Sequence, residues 1–200
     1  MKYYFAPMEG ITGPIHRKAF DACFPGVDKY FTAFIAPNQK GKFSAREKKD
    51  IDPENNRGIF LIPQIMTNDA GDFTVTALQL ESLGYKEVNL NLGCPSRTVV
   101  SKYRGSGFLA IPDKLERFLD DVFTDRDKKM PDMRISIKTR IGKDDPDEFE
   151  RLMEIYNRYP LEELIVHPRT QQDFYQGRPD MKAFGYAAEK GKSPDRKSVV

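Results

Sequence analysis

The sequence predicts an α/β protein of parallel strand–helix units. It is either an incomplete (β/α)8 TIM barrel, with about six of the eight units, or, on periodicity alone, a smaller open α/β sheet. Three observations predict this. Short β-rich apolar runs recur along the 200 residues, at Tyr3–Ala6, Tyr30–Ile35, Ile59–Met66, Glu87–Leu92, Met133–Thr139 and Leu161–His167. Most of the segments between them carry helical spacing. The mean repeat is roughly 32 residues, the size of a strand–helix unit in a parallel sheet, and eight such units need ~250 residues.

The elements follow in chain order. Gly13-Pro14 opens a first helix, with Ile15, Ala19 and Cys23 expected on its inner face and His16 on the surface. From Ala36 to Gly58 no apolar period is visible, which exceeds the usual ~12–15 residues of a structureless loop. Its first part carries Lys40, Lys42, Arg46, Lys48 and Lys49 against one acid, Glu47, so it reads as a solvated loop or as a phosphate-contacting flap at a barrel mouth. A helix starting at Asp69 turns Phe73, Ala77 and Leu80 inward and stops at Gly84. Pro112 starts the clearest helix, which buries Leu115, Phe118, Leu119, Val122 and Phe123. Phe149, Leu152, Met153 and Tyr156 form another helical stripe. Lys190–Val200 is charged, has neither period and reads as an irregular tail, leaving residues 1–189 as one domain.

Composition excludes several classes. Apolar residues make up 39%, enough for a core. No run approaches the ~18 apolar residues of a membrane span, and the apolar stretch at Met1–Pro7 is too short for a signal peptide. Two cysteines make no disulfide framework, which fits the cytoplasm. With 32 basic and 30 acidic side chains the chain is no polycation, though a local basic patch is compatible with that balance.

The chemistry-bearing residues sit at strand ends, where active-site loops of such units lie. Cys94 lies between Gly93 and Pro95, in a tight turn directly after the fourth run, and Arg97, Lys102 and Arg104 follow with no acid among them. Lys138 lies among β-branched residues near the end of the fifth run and needs an anionic or hydrogen-bonding partner if it points into a barrel. His167 ends the sixth run and Arg169 begins its loop. Gln64 interrupts the apolar third run and needs partners if buried. Together with Asn91 these form a polar ring over one mouth of a parallel barrel. Two separated histidines and no clustered carboxylates give no metal-ligand set, and neither a G-x-G-x-x-G nor a P-loop pattern is present.

At these residues the chain resembles the tRNA-dihydrouridine synthase family, in its bacterial, FMN-dependent branch. The matching pieces are Ala6-Pro7-Met8-Glu9-Gly10, Pro63-Gln64-Ile65, Leu90-Asn91-Leu92-Gly93-Cys94-Pro95, Lys102 with Gly105-Ser106-Gly107, Ile137 to Gly142, and His167-Pro168-Arg169-Thr170 with Tyr175-Gln176-Gly177. Each is weak alone, but the ordered set from residue 3 to about 185 is strong. The resemblance implies a (β/α)8 barrel with FMN at its C-terminal mouth, NADPH as reductant and tRNA as substrate. It implies that the Ala6-Pro7-Met8 backbone packs on the flavin and that Gln64 and Lys138 hydrogen-bond its ring. Asn91 then helps hold flavin or uracil, His167 and Arg169 lie near the cofactor, and Cys94 protonates the substrate. Arg97, Lys102 and Arg104 are the candidate RNA contacts. It further implies that strands seven and eight, with the loops binding the FMN phosphate, and a C-terminal tRNA-binding helical domain lie outside these 200 residues. The whole enzyme is expected to be a monomer. Two other readings accompany this one: an FMN barrel of the dihydroorotate or dihydropyrimidine dehydrogenase type, and a non-catalytic truncated fragment. One departure is Thr32-Ala33-Phe34, where many family members carry an acid after the threonine.

Overall fold

A computed structural model describes residues 2–37 and 41–192. Six parallel strands follow one another across one sheet in chain order: β1 (Tyr4–Phe5), β2 (Lys29–Ile35), β3 (Leu61–Ile65), β4 (Glu87–Leu92), β5 (Arg134–Arg140) and β6 (Glu163–His167). Helices alternate with them: α1 (Pro14–Cys23), α2 (Ala45–Ile51), α3 (Ala70–Ser82), α4 (Arg97–Val100), α5 (Pro112–Lys129), α6 (Glu148–Tyr156) and α7 (Met181–Lys190). All six expected strands are present, shifted by at most two residues at most ends.

The sheet curls into a partial barrel. Lys29 Nζ on β2 lies 3.2 Å from Glu163 Oε2 on β6. Four strand spacings of ~4.8 Å would hold those strands about 19 Å apart in a flat sheet. Inside the curl, Phe31, Ile62 and Ile165 form a small apolar cluster with Tyr4 against it. Outside, one large core joins the sheet to its helices.

Strand β4 shows how the sequence sorts these layers. Val88, Leu90 and Leu92 belong to the outer core, whereas the alternate residues Glu87, Asn89 and Asn91 are buried polar groups on the inner face. The outer helices follow the expected stripes. In α5 the five expected residues are buried, and in α6 the four expected ones are joined by Ile155. Asp69 caps α3 by accepting from Asp72 N, and Gly84 follows the helix at φ +96°, a conformation that glycine adopts without strain.

Three expectations are corrected. The described part of the long connection, residues 41–58, is not structureless. Ser44 and Glu47 form a capping box that starts α2, Ile51 is buried, and a 3-10 turn covers Glu54–Asn56. A single buried residue in so short a helix leaves no readable period. Lys40, named with this basic stretch, lies outside the described residues. The inner face of α1 is also different: Ile15, Ala19 and Cys23 are exposed, and Arg17 is the buried residue. Its guanidinium donates to Thr12 O, Asp50 O, Asp50 Oδ1 and Asn56 Oδ1, tying α1 to the α2 segment. A buried arginine with four such bonds replaces an apolar contact and is invisible to hydrophobic periodicity. Lys190, where the tail was expected to begin, still belongs to α7; residues 193–200 lie outside the described ones. Among the described residues no helix is long and apolar enough to cross a membrane.

Candidate active site at the C-terminal mouth

The polar inner face of the middle strands forms one hydrogen-bonded chain. Gln64 Nε2 donates to Asn89 Oδ1, and Asn89 Nδ2 donates to Ser136 Oγ. Asn91 Nδ2 donates to Gln64 Oε1 at 2.7 Å. The Gln64 backbone N–H donates to Thr32 Oγ1. Each amide is thereby fixed in orientation at the strand ends, as buried amides require.

The cysteine turn hangs on this chain. Asn91 Oδ1 accepts from both Gly93 N and Cys94 N at 3.0 Å. Arg140 Nε donates to Gly93 O, and Ser106 donates to Cys94 O through both its N–H and its Oγ. All four backbone polar groups of these two residues are therefore held by β4, by β5 and by the turn at Gly105–Ala110. Gly105 makes that approach possible, since a Cβ there would sit 2.7 Å from Cys94 O, and its φ is +54°. Burial pushes the half-buried Cys94 thiol up, Glu9 adds to the rise, and the Ser96 backbone amide and Arg140 oppose it.

Lys138 is the register partner of Asn91, so both side chains leave the same face of the sheet. Its ammonium makes no hydrogen bond or ion pair among the described residues. Burial, with Arg140 beside it, lowers its pKa to about 8. His167 pairs in register with Arg140 on the neighbouring strand. Arg169 Nη1 lies 2.9 Å from His167 Nε2. A guanidinium only donates, so Nε2 is the acceptor and Nδ1 carries the hydrogen of a neutral ring. Burial, then Arg140, Lys138 and Arg169, lower the pKa of His167 to about 4, so the ring is uncharged at neutral pH.

The structure thus joins Gln64, Asn91, Cys94, Lys138, His167 and Arg169 at one end of the sheet. Ala6 and Pro7 are half-buried just past β1 and Met8 is exposed; the charge of the adjacent Glu9 reaches Cys94. Arg97 and Lys102 are exposed on the rim around α4, and Arg104 reaches Asn68 Oδ1. Sequence reasoning missed Arg140, which is fully buried, donates also to Thr170 O and stacks 5.3 Å from the Tyr175 ring. Strand alternation signals it, because Ser136, Lys138 and Arg140 share one face. Ser106 was missed as well. It carries no charge, and only its contact with Cys94 reveals it.

The comparisons with known proteins agree with this geometry. A family model described as dihydrouridine synthase matches residues 4–187. A probable tRNA-dihydrouridine synthase of Staphylococcus aureus (strain Mu50 / ATCC 700699) is 26% identical over 176 residues, covering 86% of this chain and 50% of that protein. Probable tRNA-dihydrouridine synthase 2 of Bacillus subtilis (strain 168) is 24% identical over 176 residues, covering 86% and 51%. The chain therefore spans about half the length of the curated relatives it matches. Among solved structures, morphinone reductase superposes with a TM-score of 0.63 at 10% identity, covering 96% of this chain and 74% of that one, which is a likeness of fold. With a family model running from β1 into α7 and the cysteine turn, the strand-five lysine and the strand-six histidine gathered at one mouth, the chain belongs to the dihydrouridine synthase family.

Proposed function

We propose that the protein is an FMN-dependent oxidoreductase that reduces the 5,6 double bond of uridine in tRNA, with NADPH as the reductant. Residues 1–189 form the greater part of its flavin-binding barrel, and tRNA as substrate together with the free thiols Cys23 and Cys94 fits the cytoplasm. The observation that carries the reading is that the Lys138 ammonium, without a hydrogen-bond or ion-pair partner among the described residues, and the Cys94 turn, whose backbone Asn91 holds, share one mouth of a parallel barrel.

The residues present suit a flavin. A half-buried lysine without a hydrogen-bond or ion-pair partner among the described residues, on the same sheet face as the Asn91 amide that bonds Gln64, offers donors to the carbonyls and ring nitrogens of a flat heterocycle. FMN held by these residues would supply the hydride chemistry at one carbon of the double bond. The adjacent carbon needs a proton. Cys94 holds it, because burial keeps the thiol protonated at neutral pH. The thiolate left behind faces the Ser96 amide and Arg140, both of which favour it, and water restores the proton. With a flavin bound there, the Lys138 ammonium would hold the ring and favour negative charge on it. The target base is inaccessible inside folded tRNA, and flipping it out costs a few kcal/mol. Arg97, Lys102 and Arg104 hold the backbone beside the mouth, and Arg46, Lys48 and Lys49 of α2 add cations, so affinity falls with salt.

The purified protein is expected to be yellow, to contain FMN and to consume uridine in tRNA when given NADPH. Cys94→Ala is expected to lower uridine reduction by roughly 10²–10⁴-fold, the usual contribution of a general acid, while flavin reduction by NADPH persists. A colourless preparation that takes up no FMN overturns the reading. Equal loss of both half-reactions makes Cys94 a structural residue.

A further inference from the structure

We infer that the pocket behind the cysteine turn is a second base-binding subsite, which takes a nucleotide flanking the target uridine with its base stacked on Tyr103. The inference rests on the tRNA-reductase reading above. The pocket has a volume of about 280 Å³ and is lined by Arg97, Ser101, Tyr103, Gly107, Lys143 and Gln171, among others. That is near the small end of ligand pockets, about 300 Å³, and suits one base. It lies beside the catalytic turn, because α4 starts three residues after Cys94 and Ser106, next to Gly107, holds Cys94 O.

Two independent observations point to a ligand. Gln171 is only 8% exposed, and its Oε1 has no hydrogen-bond partner. Gln171 lines the pocket, and its backbone N–H donates to Gly142 O, so the backbone is fixed in the pocket wall with that side-chain acceptor left unsatisfied. Buried acceptors normally find a donor, and the N–H edges of nucleobases supply one.

The second observation is Tyr103. Its φ is +51°, yet it is not a glycine, and it is 53% exposed. It ends α4 with Tyr103 N bonded to Val100 O and Arg104 N to Val99 O, the double bond of a helix stop where glycine is usual. A bulky residue in this conformation is strained. The strain serves to display the ring beside the pocket, because glycine would close the helix without it. Arg97 has no acidic partner among the described residues, and Lys143 shares Asp144. An aromatic face, an unsatisfied acceptor and cations together match a nucleotide, whose base stacks, whose edge donates and whose phosphate is anionic.

The test uses the full-length protein and an unmodified in vitro tRNA transcript, with Kd read by fluorescence anisotropy. Tyr103→Ala and Tyr103→Gly are expected to raise Kd by roughly 5- to 150-fold, the range for loss of one base–aromatic stack, and Tyr103→Phe restores wild-type affinity. Glycine suits the backbone here, so unchanged or higher melting temperature in Tyr103→Gly excludes misfolding as the cause. Arg97→Ala is expected to reduce the slope of log K against log salt by about one, while Tyr103→Ala leaves that slope unchanged. Wild-type Kd in both Tyr103→Ala and Tyr103→Gly overturns the subsite alone. A wild-type protein that neither binds nor reduces the transcript overturns the tRNA-reductase reading itself.

Discussion

Lys29 and Lys138 lie in the same sheet, on β2 and β5, with both ammonium groups drawn out of bulk water. At the N-terminal floor Lys29 Nζ sits 3.1 Å from both oxygens of Glu87 and 3.2 Å from Glu163 Oε2, with the Tyr4 and Phe60 rings over it. At the C-terminal mouth Lys138 has neighbours of its own sign, Arg140 and, through His167, Arg169. The difference separates two uses of a buried charge. The floor cluster comes from β2, β4 and β6, the alternate strands that share a layer in a parallel barrel, and it locks those strands together. The mouth leaves its charge without a hydrogen-bond or ion-pair partner among the described residues, which is unfavourable for folding and, on the proposed function, serves to bind an electron-rich ligand.

The largest expected effect breaks the floor. Lys29→Met leaves two buried carboxylates facing each other without a cation, and removing one partner of a buried ion cluster costs about 3–5 kcal/mol. Urea denaturation followed by circular dichroism checks this. A loss below about 1 kcal/mol, the scale of a surface pair, shows that the floor is no structural lock.

The same substitution at the mouth is expected to act in the opposite direction. Burial depresses the pKa of Lys138 from 10.5 to about 8, so the folded state disfavours its ammonium. That penalty is fully present below about pH 8 and disappears as pH rises toward 10.5, where the unfolded chain also loses the proton. Lys138→Met therefore gains stability at pH 7, by about 1 kcal/mol after allowance for its partial exposure, and the gain fades above pH 8. Retention of FMN is expected to fall in the same variant. Stability lost together with FMN makes Lys138 a structural residue like Lys29.

The two ends also differ in how far the sequence reveals them. Gln64, Asn91, Cys94, Lys138 and His167 are legible because each interrupts an apolar strand or follows one directly, and a polar residue there requires a reason. The strands and the α3, α5 and α6 faces are legible because their periods are clean. The floor is not. Lys29 and Glu87 stand at strand starts, where charged residues are ordinary, and only the curl brings β2 within reach of β6. Arg17 is hidden for a similar reason, since its partners Asp50 and Asn56 lie more than thirty residues away in sequence.

The smallest expected effect separates the two carboxylates of the floor. Glu87 meets Lys29 with both oxygens, whereas Glu163 uses Oε2 alone and its buried Oε1 has no partner. Burial raises the pKa of Glu163 above 4.5, and Glu87 adds to the rise, against the lowering from Tyr4 and Lys29. Between 4.5 and that raised value the folded chain binds a proton that the unfolded chain has lost, so this group's contribution to stability falls as pH rises through the window. Glu163→Gln removes the titration. The amide oxygen turns to Lys29, and the NH2 takes the place of an atom that was already unsatisfied, so the number of orphaned groups stays the same. The variant is expected to stay within about 1 kcal/mol of wild type at pH 7, whereas Glu87→Gln, which breaks a two-oxygen contact, costs about 1–3 kcal/mol. Denaturation at pH 5 and pH 7 reads both the order and the slope. A Glu163→Gln variant as unstable as Lys29→Met makes the two carboxylates equal partners of the lysine, and the floor then depends on all three charges together.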